Sequence, residues 1–237
     1  MAYWILKVVL SPVFFLLWRV KVEGREHIPV HGPAVLAANH QSFCDSFFLP
    51  LVLRRRVTYV AKAEYFDSWK TAWFFRAAGQ IPMSRSGGDA SQRALDTATE
   101  VLNAGHLLGI YPEGTRAPDP RLHKGHTGVA RLSLRCDVPI VPVGIVGTRA
   151  VQPPGSNVLR PFHPVTIRFG PPVTYVHAGE VITTGRCVEA VGGGLCPAER
   201  ELDQSELRSL TDSLMREIAR LSGQEYVNRY ASRAKAR

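Results

Sequence analysis

The feature that most constrains this chain is a set of short, wholly apolar runs that each end in a polar turn and alternate with helical patterns. Pro33-Ala34-Val35-Leu36-Ala37-Ala38 runs into Asn39-His40, and Leu107 to Tyr111 runs into Pro112-Glu113-Gly114-Thr115-Arg116. Runs without polar alternation read as strands buried on both faces, which requires helices packed over the sheet. Thr58 to Ala61, Ile140 to Val146 and Val165 to Phe169 are further strand candidates. Between them, helices are expected over Phe43 to Leu53, Trp69 to Ala78 (stopped by Gly79) and Thr127 to Arg135. One more begins at Asp89, with Gln92 placed as a capping-box partner and Leu95, Ala98, Val101 and Leu102 on one face, and closes at Gly105. The expected fold is therefore α/β: one domain over residues 21–237, with a largely buried mixed sheet flanked by helices. Chemistry in such folds gathers outside the carboxyl ends of the strands, where Asn39-His40 and Glu113 to Arg116 both fall.

The two ends of the chain are unlike its middle. Tyr3 to Trp18 is nearly all apolar, interrupted by Lys7 and Pro12 and followed by Arg19 and Lys21. Its uninterrupted part, Val8 to Trp18, is well short of the ~20 residues a spanning helix needs, and no small-x-small cleavage site follows it. Aromatic residues beside basic ones suit a helix lying in the bilayer interface over residues 1–20; a helix packed on the protein's own core is the alternative. Beyond Gln152 the chain turns loop-rich, and an Arg-rich amphipathic helix from about Asp203 to Tyr230 is expected to close it.

Lys and Arg outnumber Asp and Glu by 29 to 20, which favours polyanionic partners: nucleic acid, anionic lipid or a phosphorylated substrate. The four cysteines (Cys44, Cys136, Cys187, Cys196) are too few and too scattered for a disulfide scaffold. Cys187 and Cys196 bracket a Gly-rich stretch and could pair, but free thiols in a reducing compartment fit better. No Cys-x-x-Cys pair accompanies His123-Lys124-Gly125-His126, so no metal is assigned.

His40 and Asp45 stand five positions apart. On a regular helix that spacing separates them by ~140°, so His40 is expected in the turn before the helix, with Asp45 reaching back from its first turn. A carboxylate on one imidazole nitrogen sets the tautomer and frees the other nitrogen as a base for a hydroxyl. A solvated turn histidine would show the same spacing. In Tyr111 to Arg116, Gly relieves a tight turn while Thr and Arg offer donors suited to phosphate oxygens; a surface turn with a salt-bridged Arg is the plainer reading.

Taken together, these segments resemble the PlsC-like glycerolipid acyltransferases, the lysophosphatidic acid acyltransferase family, whose four motifs occur here in order. They are Asn39-His40-Gln41-Ser42-Phe43-Cys44-Asp45, Gly79-Gln80-Ile81-Pro82-Met83-Ser84-Arg85, Tyr111-Pro112-Glu113-Gly114-Thr115-Arg116 and Val138-Pro139-Ile140-Val141-Pro142-Val143-Gly144. The resemblance covers roughly residues 24–150 and implies transfer of a fatty acyl group from acyl-CoA or acyl carrier protein, as co-substrate and not cofactor, to the hydroxyl of lysophosphatidic acid. Glycerol 3-phosphate, another lysophospholipid or a different hydroxylated lipid is the alternative acceptor. The resemblance makes His40 the general base and Asp45 its holder. Lys62, Arg85, Glu113, Gly114, Thr115 and Arg116 are implied to bind or organise the acceptor phosphate, and Pro139, Ile140, Val141, Pro142 and Val143 to line the acyl chain, although that strand reads equally well as simple core. A phospholipid membrane surface is the implied partner, with peripheral or monotopic attachment on the cytoplasmic face and no role for nucleic acid. Met83-Ser84 before Arg85 and Ala117-Pro118 after Arg116 depart from the usual pattern, and residues 179–197 match none of it.

Two other classes fit less. A hydrolase with a covalent nucleophile lacks a Gly-x-Ser-x-Gly elbow, and a nucleotide enzyme lacks the Walker loop. A basic membrane- or nucleic-acid-coating module explains the charge and the apolar amino terminus but leaves four ordered motifs without a reason.

Overall fold

The computed structural model describes residues 2–77, 80–83, 90–156, 158–175, 181–182 and 203–235. The apolar amino-terminal run is helix α1 (Ala2–Trp18), with Pro12 inside it. Strand β1 (Lys21–Glu23) leads to β2 (Ala34–Ala38), helix α2 (Asp45–Val52), β3 (Val57–Lys62), α3 (Glu64–Asp67), α4 (Trp69–Ala77) and β4 (Ile81–Met83). Next come α5 (Ala90–Asn103), β5 (Leu107–Ile110), β6 (Leu122–His123), α6 (Gly128–Cys136), β7 (Ile140–Val146) and α7 (Thr148–Val151). The remainder is β8 (Thr166–Phe169), β9 (Thr174–Tyr175), β10 (Val181–Ile182), α8 (Gln204–Ser222), β11 (Tyr226–Val227) and α9 (Ala231–Lys235).

Among the described residues, seven strands form one sheet in the order β1-β8-β7-β2-β5-β3-β4. Neighbours run parallel except β7 and β8, so the sheet is mixed, as expected. Strand β2 lies between β5 and β7, with Ala37 opposite both Ile110 and Pro142. Because β2 and β5 are parallel neighbours, their carboxyl ends open side by side and release the His40 and Glu113 turns into one place.

The strand period of two separates the core into two layers. Ala34, Leu36 and Ala38 face a layer built from Trp18 of α1, Phe48 and Leu49 of α2, and Val141, Val143 and Ile167. Val35 and Ala37 face the other, where α5, α6 and α8 contribute Leu102, Leu132 and Met215. Helix α8 lies so close over β7 that a β-carbon on Gly144 would stand 2.5 Å from the Leu221 carbonyl carbon.

Two expectations about the ends change. The carboxyl-terminal helix stops at Ser222 and not near Tyr230, because Gly223 takes a left-handed conformation (φ 71°) that caps it. The chain then pairs β11 beside β6 in parallel. The amino-terminal helix packs one face on the protein's own core and leaves apolar side chains exposed on the other. Phe14 and Trp18 pack on Phe48 at 5.0 and 5.6 Å, while Ile5, Val8 and Leu16 point to solvent. Among the described residues, no helix is long and apolar enough to cross a membrane. Asp89 and Gly79 lie outside the described residues, and Gln92 donates to Asp96.

Candidate active site

The site begins with Asn39, fully buried at the end of β2. Its Oδ1 accepts the Ile145 amide at 2.7 Å, and its Nδ2 donates to the Ile145 carbonyl at 2.8 Å and to Gln224 Oε1 at 2.7 Å. These bonds tie β2 to β7 and set the angle at which the chain leaves the sheet. His40 follows, gripped on both sides by the third motif's loop. Its amide donates to Glu113 Oε2 at 2.9 Å, and its carbonyl accepts the Ala117 amide at 2.8 Å.

The His40 ring is held in two further ways. Nδ1 lies 2.9 Å from Asp45 Oδ2, which also accepts the Gln41 and Ser42 amides at 2.8 and 2.9 Å. Asp45 opens α2 and is fully buried, so one carboxylate orients the imidazole and satisfies two amides of the turn. The ring also lies flat on Tyr111, centroids 3.9 Å apart and planes 11° apart, and the Tyr111 hydroxyl is 3.1 Å from Ser46 Oγ. With Nδ1–H directed at a carboxylate, Nε2 keeps its lone pair. His40 lines a cleft of about 510 Å³, so that nitrogen is the one available to a bound hydroxyl.

The same cleft is lined by Gly114, Thr115 and Arg116, which places the third motif beside the histidine as expected. Gly114 adopts φ 70°, the left-handed turn that the motif's glycine allows. Arg116 is exposed and forms no ion pair among the described residues.

Glu113 is buried to 1% exposure, its second oxygen accepts the His123 amide at 2.9 Å, and its carboxylate does not line the cleft but holds the loop together. Burial pushes its carboxyl up to about 7, against the pull of the two amides.

The residues implied to line the acyl chain do not line the cleft. Ile140, Val141, Pro142 and Val143 are buried inside the sheet, Pro139 is half-buried beside them, and none lines the cleft. Strand β7 is covered on one face by the α1–α2 layer and crossed by α8 on the other, so nothing reaches it. The apolar walls come from Leu10 of α1, Phe47 and Leu51 of α2, Leu95 of α5, Ile110 of β5 and Leu132 of α6. Lys62 ends β3 in register with Met83, and Arg85 lies outside the described residues.

Three supporting residues carry no motif signal. Arg149 of α7 donates to the Ala117, Pro118 and Asp119 carbonyls at 3.3, 2.9 and 3.2 Å, bracing the turn after Arg116. Gln224 links Asn39 to the Pro120 carbonyl at 2.6 Å. His126 lines the cleft, stacked on Tyr230 at 4.7 Å, and burial with Arg208 nearby lowers its pKa, favouring the neutral ring. His123, by contrast, spends both ring nitrogens on Asp119 and the Arg229 carbonyl. Cys44 is buried and its thiol is pushed up to about 11, so it is no thiolate nucleophile at neutral pH.

A family model described as Acyltransferase matches residues 19–146, which include the whole of the His40, Asp45 and Arg116 arrangement. The chain belongs to the PlsC-like acyltransferase family. Its relatives in that family include the chloroplastic 1-acyl-sn-glycerol-3-phosphate acyltransferase of Arabidopsis thaliana, 30% identical over 156 residues, covering 65% of this chain and 44% of that one. The 1-acyl-sn-glycerol-3-phosphate acyltransferase of Bacillus subtilis is 30% identical over 144 residues, covering 60% of this chain and 68% of its own. The chain thus spans about half the length of the plant relatives and more of the bacterial one. The PlsC-like fold itself recurs in the crystal structure of the 1-acyl-sn-glycerophosphate (LPA) acyltransferase PlsC from Thermotoga maritima. That match has a TM-score of 0.61 at 25% identity over 90% of this chain and 75% of that one.

Proposed function

We propose that this chain is a 1-acyl-sn-glycerol-3-phosphate acyltransferase working at a membrane surface, moving a fatty acyl group from a thioester to the free hydroxyl of lysophosphatidic acid. The observation that carries the reading is the 2.9 Å His40–Asp45 contact, in a cleft that has apolar walls and Arg116 on its lining. His40 Nε2 takes the hydroxyl proton as that oxygen attacks the thioester carbonyl. The tetrahedral intermediate collapses, the C–S bond breaks, and the departing thiolate receives the proton from the imidazolium. Asp45 stabilises the imidazolium, and the Tyr111 face beneath it favours the same charge. Arg116 and Thr115 receive the acceptor phosphate, joined by Lys62 and Arg85, while the apolar cleft takes the fatty chain.

Thiol release from acyl-CoA with lysophosphatidic acid in vesicles tests the chemistry, and acyl carrier protein thioesters in a second arm identify the donor. His40→Ala and Asp45→Asn are each expected to lower turnover by ~10²–10⁴-fold. Arg116→Ala should raise KM for phosphorylated acceptors. Turnover unchanged in His40→Ala would falsify the assignment.

Membrane attachment, peripheral or monotopic, is supported by the exposed apolar face of α1. Deleting α1 would remove Trp18 and Phe14 from the core, so point changes are the cleaner probe. Val8→Asp and Leu16→Asp should weaken vesicle binding while leaving the fold intact.

A further inference from the structure

The loop joining α7 to β8 takes no part in the cleft, yet it offers large apolar side chains to solvent. Val158 is 70% exposed and Phe162 is 66% exposed. Phe162 also sits at φ 66°, a left-handed conformation that a residue with a β-carbon adopts at a cost. Neither backbone geometry nor burial accounts for phenylalanine there, since glycine would make the turn with less strain.

This loop is bound to the carboxyl end of α1. The Phe162 amide donates to the Leu17 carbonyl at 2.6 Å, Trp18 Nε1 donates to the Arg160 carbonyl at 2.7 Å, and the Val165 amide donates to the Trp18 carbonyl at 3.2 Å. The neighbouring Leu16 is 79% exposed, so apolar surface on the helix and on the loop meet at this junction. Arg19 and Arg160 flank it, both exposed and neither in an ion pair among the described residues. Apolar tips bordered by free guanidinium groups match the layering of an anionic bilayer, with acyl chains below and phosphate head groups above.

We propose that residues 158–162 are a second bilayer-contact element that inserts Phe162 into anionic lipid beside α1. The inference rests on the reading that α1 lies in the membrane interface. A lone interfacial helix leaves the domain free to roll about the helix axis. A second contact at its end opposes that roll and holds the domain in one orientation to the lipid.

Co-sedimentation of the full chain with vesicles of phosphatidylcholine alone, or mixed with phosphatidylglycerol, tests this. Phe162→Gly removes the ring and relieves the left-handed strain, so its unfolding midpoint should equal or exceed the parent's. Its partition onto anionic vesicles should fall roughly tenfold, with turnover on detergent-dispersed substrate unchanged. Arg160→Gln should weaken binding to anionic vesicles only. If Phe162→Gly partitions like the parent while Leu16→Asp does not, the loop is no lipid contact and the α1 reading stands. If neither change matters, both readings fail.

Discussion

At Glu113, a carboxylate that would repel a phosphate instead joins two backbone amides across the turn that carries His40. Its burial has a consequence for stability. The folded pKa of about 7 lies above the ordinary 4.5, so the folded chain binds more protons than the unfolded chain between those values. The stabilisation from this group is complete below 4.5 and declines as pH rises toward about 7, on the order of 3 kcal/mol in all. Urea midpoints measured from pH 4.5 to 7 should show that decline in the parent, with a flatter profile in Glu113→Gln. Asp119, held below the usual carboxylate range chiefly by Arg121, acts only at lower pH, while His126, whose lowered pKa adds stability as pH rises in this window, is common to both proteins and cancels in their comparison. Tyr111 presents a different balance between ring and hydroxyl. Tyr111→Phe keeps the face under His40 and loses the hydroxyl with its Ser46 contact, so turnover should change by no more than a few-fold, whereas Tyr111→Ala leaves the imidazole unsupported and should lower kcat much further.

The element that does most for the site without belonging to a motif is the segment after α8. The Leu122 amide donates to the Glu225 carbonyl at 2.9 Å, β11 pairs with β6, and Gln224 reaches both Asn39 and Pro120. The chain's carboxyl-terminal part thus clamps the turns that carry His40 and Arg116. Gln224→Ala should cost about 1 kcal/mol of stability and lower kcat with little change in KM, read from denaturant melts and initial rates. Helix α8 can hold this segment only because β7 offers a glycine beneath it. In Gly144→Ala the new methyl meets backbone at Leu221 and Ser222, which cannot swing away as a side chain would. A loss of about 1–3 kcal/mol is expected in thermal melts.

On the scale of the whole molecule, the proposed membrane contact would join an excess of basic residues to an apolar helix face. Electrostatic attraction to anionic lipid is screened by salt, and apolar insertion is not. Raising ionic strength from roughly 0.1 to 1 M shortens the screening length from ~10 to ~3 Å. Vesicle binding should therefore weaken but persist, and binding lost completely at high salt would mean that α1 contributes no insertion.

Much of this architecture was legible because it depends on local pattern. The apolar runs at Ala34–Ala38, Leu107–Ile110 and Ile140–Val146 announced buried strands, and the turn residues after the first two announced the site. The spacing of His40 and Asp45 already required a turn followed by a helix, which is what the backbone forms. Sequence could not show that β7 is enclosed on both faces, since an apolar strand looks the same whether it lines a cleft or fills a core. Nor could it reveal that Glu113 points inward, or that Gln224 and Arg149 hold the loops, because those roles arise from elements distant in sequence that the fold brings together, or from one buried rotamer. Local periodicity determined which elements form and where the polar turns fall. Only tertiary packing decided which walls line the cleft, because exposure belongs to the assembled layers and not to any segment alone.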